Sequence, residues 1–237
     1  NQALESLNLN SNNISFPGAQ RLAEALKVNR ALTTLSLGKN GVVDEGAAAL
    51  SEALKVNQSL SSINLGSNRI SVRGAALLAE ALTTNQGLVS VNLSNNSISD
   101  EGTKALADAL KVNHTLTWLN LTLNSISTEG TQYLARALEA NNALTALNLN
   151  SNNVSDEGAA LLAEALIVNQ TLASLDLVTN NIRNDGAISL RDALQENRTL
   201  TNLELGDQYG VFETNCVAQC FRNEIQSALQ QNKRRRQ

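Results

Sequence analysis

Residues 88–115 read LVSVNLSNNSISDEGTKALADALKVNHT, and nearly every position in this stretch recurs at the same spacing on both sides of it. Leu88, Val91 and Leu93 open the unit with short period-two alternation, the pattern of a strand with one buried face. Gly102, Leu106, Ala109 and Leu110 follow at three- and four-residue spacing, which predicts an amphipathic helix. Asn96 separates the two halves and Asn113 follows the second. Moving outward, leucines stand at 4, 32, 60, 88, 116, 144, 172 and 200, each 28 residues from the last. A fixed period of this length is the mark of a solenoid.

One strand and one short helix cannot bury their apolar faces alone, so stacked units must share one continuous core. A helical crossover between successive strands makes those strands parallel. Strands pack about 4.8 Å apart and helices about 8–10 Å apart, so the stack must curve. The expected architecture is α/β: a right-handed solenoid in a horseshoe arc, with a parallel sheet on the concave wall and helices on the convex wall. The chain from 1 to 237 reads as one domain of eight units starting near Leu4, Leu32, Leu60, Leu88, Leu116, Leu144, Leu172 and Leu200, with 207–237 as a C-terminal cap and basic tail.

Composition agrees. The 237 residues include 40 leucines and 32 asparagines but only six aromatic residues and no methionine, so the core must be aliphatic. The apolar fraction of 42% is too high for a disordered chain. No stretch approaches 18 uninterrupted apolar residues, which argues against a membrane span. The net charge of −4 argues against nucleic acid as the main partner. His114 is the single histidine, which disfavours zinc and Ser-His-Asp chemistry, and no cofactor is expected.

Two asparagine columns accompany the leucines. Asn12, Asn40, Asn68, Asn96, Asn124, Asn152 and Asn180 follow the strands, where the backbone leaves the ladder and its polar groups need partners. Asn29, Asn57, Asn85, Asn113, Asn141, Asn169 and Asn197 follow the helices, where asparagine suits a left-handed helix end. Ser99-Asp100-Glu101 and Ser155-Asp156-Glu157 are placed to cap the helices they open. On the convex side Lys27, Lys55 and Lys111 follow Glu24, Glu52 and Asp108 by three residues and can pair with them.

The repeat resembles the leucine-rich repeats of the ribonuclease-inhibitor-like class, over essentially the whole chain from Leu4 to Leu229. That class extends to the arrays of cytosolic innate sensors (the NOD-like receptors) and of some bacterial effectors. The resemblance implies a non-enzymatic scaffold that binds a protein partner on its concave face, in the cytoplasm or in a host cytosol. It also implies an alternative, a GTPase-activating leucine-rich-repeat protein, for which Arg69 is the cation nearest the concave columns. Members of the class bind unrelated partners on one scaffold, so function has to be argued from the surface.

That surface is the set of strand residues between the leucines. Most are small, polar and uncharged. Trp118 is the only tryptophan in the chain and the one large aromatic on the wall. Leu123 and Val178 add apolar surface, while Asp176, Glu204, Asp207 and Tyr209 make an acidic end. Lys39 and Arg69 make the opposite end slightly basic. Trp118, Leu123, Asp176, Val178, Glu204, Asp207 and Tyr209 are therefore the candidate partner-binding residues. The two ends of the chain depart from the repeat. Unit 8 carries a seven-residue insertion within Asp207–Cys220 and a longer helix, with Cys216 and Cys220 expected as reduced thiols. The first strand begins without a preceding cap, so the chain is expected to be a piece of a longer protein and to self-associate through that edge.

Overall fold

A computed structural model describes residues 2–206 and 216–235, with the side chains of 216–222 left out of the description. Eight three-residue strands alternate with eight helices. The strands are β1 (Ser6–Asn8), β2 (Thr34–Ser36), β3 (Ser62–Asn64), β4 (Ser90–Asn92), β5 (Trp118–Asn120), β6 (Ala146–Asn148), β7 (Ser174–Asp176) and β8 (Asn202–Glu204). The helices are α1 (Ser15–Val28), α2 (Val43–Val56), α3 (Val72–Thr84), α4 (Ser99–Leu110), α5 (Thr128–Ala140), α6 (Ser155–Val168), α7 (Asn184–Glu196) and α8 (Cys216–Arg235). The strands form one open parallel sheet in chain order, and each residue pairs with the residue 28 positions on, as Ser90 does with Trp118. The fold is the expected α/β leucine-rich-repeat solenoid.

The register repeats because the core repeats. The central residue of each strand from Leu35 to Leu203 is buried, as are the helix leucines from Leu50 to Leu194 apart from the half-buried Leu77 and Leu161. These residues belong to one continuous aliphatic cluster that runs from α1 to α8. At the β1 end the cluster opens into an apolar cavity of about 200 Å³, lined by Leu4, Leu7, Leu22 and Leu26 among others. At the other end α8 is 20 residues long, against 12–14 for the rest, in line with the longer last helix expected there. The insertion itself lies across residues outside the description.

Both asparagine columns are built into the solenoid. Asn40 Nδ2 donates to Leu9 O at 2.8 Å, and Asn40 Oδ1 accepts from Asn12 N at 2.9 Å and Ile14 N at 3.1 Å. From Asn40 to Asn180 each amide of this column thus joins its own turn to the preceding unit. In the second column Asn57 Nδ2 donates to Leu26 O at 2.8 Å, a terminal carbonyl of the preceding helix, and to Asn29 O at 2.9 Å. Its Oδ1 accepts from Ser59 N and Leu60 N at 3.1 and 2.9 Å and holds the following turn. Asn232 continues this column into α8, donating to Asn197 O and Leu200 O.

Two local expectations are corrected. The helix-ending asparagines are not left-handed: Asn29 has φ −75°, ψ 136° and Asn57 has φ −88°, ψ 118°. From Asn57 onward the amides of this column take up a terminal carbonyl of the preceding helix, so no left-handed turn is needed. The left-handed residues flank the other column instead, at Ser11, Lys39, Ser67, Arg69, Asn95 and Leu123 for example. Asp100 also does not cap its own helix. Its Oδ1 accepts from Ser127 N at 2.8 Å and Gly130 N at 3.0 Å, and its Oδ2 from Ser127 Oγ at 2.6 Å, all at the start of the next helix. Asp44 does the same for Ser71 and Gly74, and Asp156 for Arg183 and Gly186. These aspartates sit in every second unit, so helix starts are capped across repeat boundaries and the array has a two-unit rhythm.

Candidate partner-binding wall

The sheet faces outward through the residues that flank each buried centre. In β3 to β7 the pattern is half-buried, buried, half-buried. Trp118 opens β5 and is half-buried. Its register neighbours are Ser90 and Ala146, both small, so the indole is flanked by low ground on either side. Tryptophan in such a setting combines a large apolar area with a hydrogen-bonding edge.

Asp176 closes β7. Its Oδ1 accepts from Val178 N at 3.1 Å and its Oδ2 from Asn148 Nδ2 at 3.0 Å, so the carboxylate is held in place. Asn148 belongs to a hydrogen-bonded line along the wall: Thr122 Oγ1 donates to Asn148 Oδ1 at 2.8 Å, next to its contact with Asn120 Oδ1 at 2.7 Å. Glu204 closes β8, is exposed, and is the register partner of Asp176. Two carboxylates on adjacent strands favour a cation between or above them. Trp118 is two strands from Asp176, about 10 Å across the sheet.

The other candidates are less tightly grouped. Leu123 is half exposed with φ 54°, in the turn beyond β5, so it lies past the far end of that strand from Trp118 rather than beside it. Val178 is half-buried in the corresponding stretch after β7, and its carbonyl accepts from Ser151 N at 2.9 Å. Asp207 and Tyr209 lie outside the described residues. Arg69 is exposed at φ 59° in the turn after β3.

A feature that residue types alone did not single out occupies the opposite end of the wall. A polar depression of about 220 Å³ lies over β2–β4, lined by Asn10, Gly38, Lys39, Asn64, Gly66 and Asn92 among others. Its signal in the sequence was the pair of glycines at one column position in successive units, which reads as bland until their neighbours are known.

On the convex side the expected ion pairs form: Lys27–Glu24 at 2.8 Å, Lys55–Glu52 at 2.7 Å and Lys111–Asp108 at 2.7 Å. Lys55 also reaches Glu80 of the next helix at 2.9 Å. Lys55 holds the Glu52 carboxyl below its ordinary range, and Glu52 and then Glu80 raise Lys55. Among the described residues no cluster of three or more His, Cys, Asp or Glu could hold a metal, and no helix is long and apolar enough to cross a membrane.

Comparison with known proteins bears on the repeat. Residues 1–97 match a family model described as the TMOD/LMOD leucine-rich domain, and residues 112–135, 140–163 and 168–190 match a leucine-rich-repeat model. The tropomodulin C-terminal domain of Caenorhabditis elegans is 22% identical over 59% of this chain and 85% of its own, with a TM-score of 0.51. That likeness concerns the fold alone. A structure described as Leiomodin-1 Actin-Binding Site 2 is 18% identical over 93% of this chain and 91% of its own, with a TM-score of 0.42. No curated protein matches. The parallel register, the shared aliphatic core and the two family models converge on one statement: the chain is built of leucine-rich repeats.

Proposed function

We propose that this protein is a non-enzymatic interaction scaffold that grips a protein partner on its concave wall, with Trp118 as the anchor and Asp176 and Glu204 as the charged flank. The observation that carries this reading is the tryptophan itself, half-buried on a wall of small polar residues between Ser90 and Ala146. Tryptophan is enriched among residues that dominate interface energies, and such residues pair with pockets on the partner. The carboxylates suit a partner that carries Lys or Arg beside the apolar group that meets Trp118. Their contribution falls mainly on association rate and salt dependence, and that of the tryptophan on dissociation.

The test is capture of partners by the wild-type chain, repeated with Trp118→Ala and with Asp176→Asn combined with Glu204→Gln, each variant melted in parallel. Purified actin, which appears in the name of the leiomodin-1 domain above, is one defined probe. Trp118→Ala is expected to leave the melt nearly unchanged and weaken binding by about 2 kcal/mol or more. The double carboxylate variant is expected to weaken it mostly at low salt. Retention of every partner by Trp118→Ala, or unfolding of that variant, would refute the anchor and move the search to the helices.

A further inference from the structure

At the β2–β4 end of the wall, Gly38 and Gly66 stand at one column position in successive units. A side chain at either position would press on polar side chains of the neighbouring units. A Cβ at Gly66 would lie 2.8 Å from Ser94 Oγ and 3.2 Å from Asn64 Oδ1, and one at Gly38 would lie 3.0 Å from Asn10 Oδ1. Their bare backbones leave the polar depression of about 220 Å³ over this end of the sheet.

The groups around it are mostly hydrogen-bond donors, and the reason is structural. Asn10 Oδ1 accepts from Gly38 N at 2.7 Å, Asn64 Oδ1 from Gly66 N at 2.9 Å and Asn92 Oδ1 from Ser94 N at 2.9 Å. With each oxygen committed to the backbone, each amide is left with its two N–H groups to offer. None of these three Nδ2 groups has a protein partner among the described residues. Ser67 Oγ accepts from Asn95 Nδ2 at 2.9 Å, which leaves its own hydroxyl hydrogen to donate. Lys39 is exposed at the rim and adds the one formal charge, and no carboxylate lines the depression.

We propose that this depression binds the carboxylate of an aspartate or glutamate side chain on the protein partner. The proposal rests on the reading that a partner lies along the concave wall, and it names the group seated at this end. A carboxylate presents about four acceptor sites on two oxygens, which suits a depression lined by amide donors from three repeat units. Hydrogen bonds to an ionised acceptor are stronger than neutral ones, and the ammonium of Lys39 adds attraction. The far end of the wall has the inverse character: Asp176 occupies the same column as Asn64 and Asn92, with Glu204 beside it. β2 and β7 are five strands apart, about 24 Å. A partner with an acidic group and a basic group at that separation would bind in one direction only.

The experiment needs no natural partner. A blocked pentapeptide carrying a single glutamate, and its twin carrying glutamine, are titrated into ¹⁵N-labelled protein while side-chain and backbone amide resonances are followed. The glutamate peptide is expected to shift the side-chain amides of Asn10, Asn64 and Asn92 and the backbone amides of Gly38 and Gly66, less so as salt is raised. The glutamine twin should bind about three- to fivefold more weakly, and Lys39→Gln should weaken the glutamate peptide by a similar factor. Asn64→Asp provides the decisive variant. Its oxygen can still accept from Gly66 N, as Asp176 Oδ1 does from Val178 N, so it should melt like wild type yet lose the glutamate peptide. Equal binding of the two peptides overturns the proposal. So does retention of the glutamate peptide by Asn64→Asp, even if Lys39→Gln weakens it, because that pattern marks surface charge attraction without a seat. Trp118 is untouched throughout, so failure here leaves the anchor reading standing, and failure of the Trp118 variant leaves this titration valid.

Discussion

Asn64 and Asn68 are four residues apart in the same unit, one on the exposed wall of β3 and one inside the solenoid. Asn68 is fully buried and uses both ends of its amide inward: Oδ1 accepts from Asn40 N at 3.0 Å and Val42 N at 3.2 Å, while Nδ2 donates to Leu37 O at 2.9 Å and Gly66 O at 3.2 Å. Asn64 makes one such bond, from Gly66 N, and keeps its donors for solvent or a ligand. The same side chain is scaffold in one place and a recognition element in the other. What separates them is whether backbone carbonyls are left without partners nearby. Where the chain leaves the ladder they are, and the amide is consumed. Over the sheet the carbonyls are already paired, and the amide's donors remain available.

The largest effect that would sharpen this contrast is at Asn68. Asn68→Ala leaves Leu37 O and two N–H groups without their partner, while Gly66 O keeps Lys39 N, and urea unfolding should show a loss of about 3 kcal/mol. Asn64→Ala removes one bond at a half-exposed site and should cost about 1 kcal/mol. Equal losses at the two positions would erase the distinction between scaffold and wall. Asn95 gives a third comparison beside its neighbour Asn96. Asn95 is exposed, as its place in the repeat suggests, but it holds φ 51° and donates to Ser67 Oγ at 2.9 Å. Exposure alone would leave alanine there nearly neutral. The left-handed backbone adds a penalty, so Asn95→Ala should cost roughly 0.5–1 kcal/mol and Asn95→Gly less. Because both variants lack the amide, a glycine variant less stable than the alanine variant would show that the left-handed backbone does not set the cost at this site.

The smallest effect belongs to the convex ion pairs, which face water. The Glu52 carboxyl is held low by Lys55, so its contribution is present above the ordinary glutamate range and fades as pH falls through the lowered value. Lys55 is raised by Glu52 and Glu80, so its contribution is present below the ordinary lysine range and fades as pH rises through the raised value. Lys55→Gln should therefore move the melting temperature at neutral pH less than any substitution above, and less still in high salt. A shift as large as that of Asn64→Ala would mean that the helices contribute recognition-grade electrostatics after all.

Much of this protein is legible in one 28-residue line. Leu88, Val91 and Leu93 specify a strand, and Leu106, Ala109 and Leu110 a helix, because burial periodicity is a local property of the chain. Repetition then specifies the stack, since no unit can bury its face alone. The two asparagine columns and the place of Trp118 on the wall follow from the same arithmetic. Other features depend on what lies one repeat away. Asp100 looks like the cap of its own helix, yet it bonds Ser127 and Gly130, because stacking brings the next helix start within reach of its carboxylate. Asn57 looks like a left-handed terminator, yet it is extended, because its amide reaches back to Leu26 O. Gly38 and Gly66 look like weak points in a bland wall. Only the placement of Asn10, Asn64 and Ser94 within 3.2 Å of where their side chains would begin turns them into the floor of a donor-lined seat. Local periodicity is written in neighbouring residues, whereas a hydrogen-bond partner 28 positions away is settled only when the units stack in register.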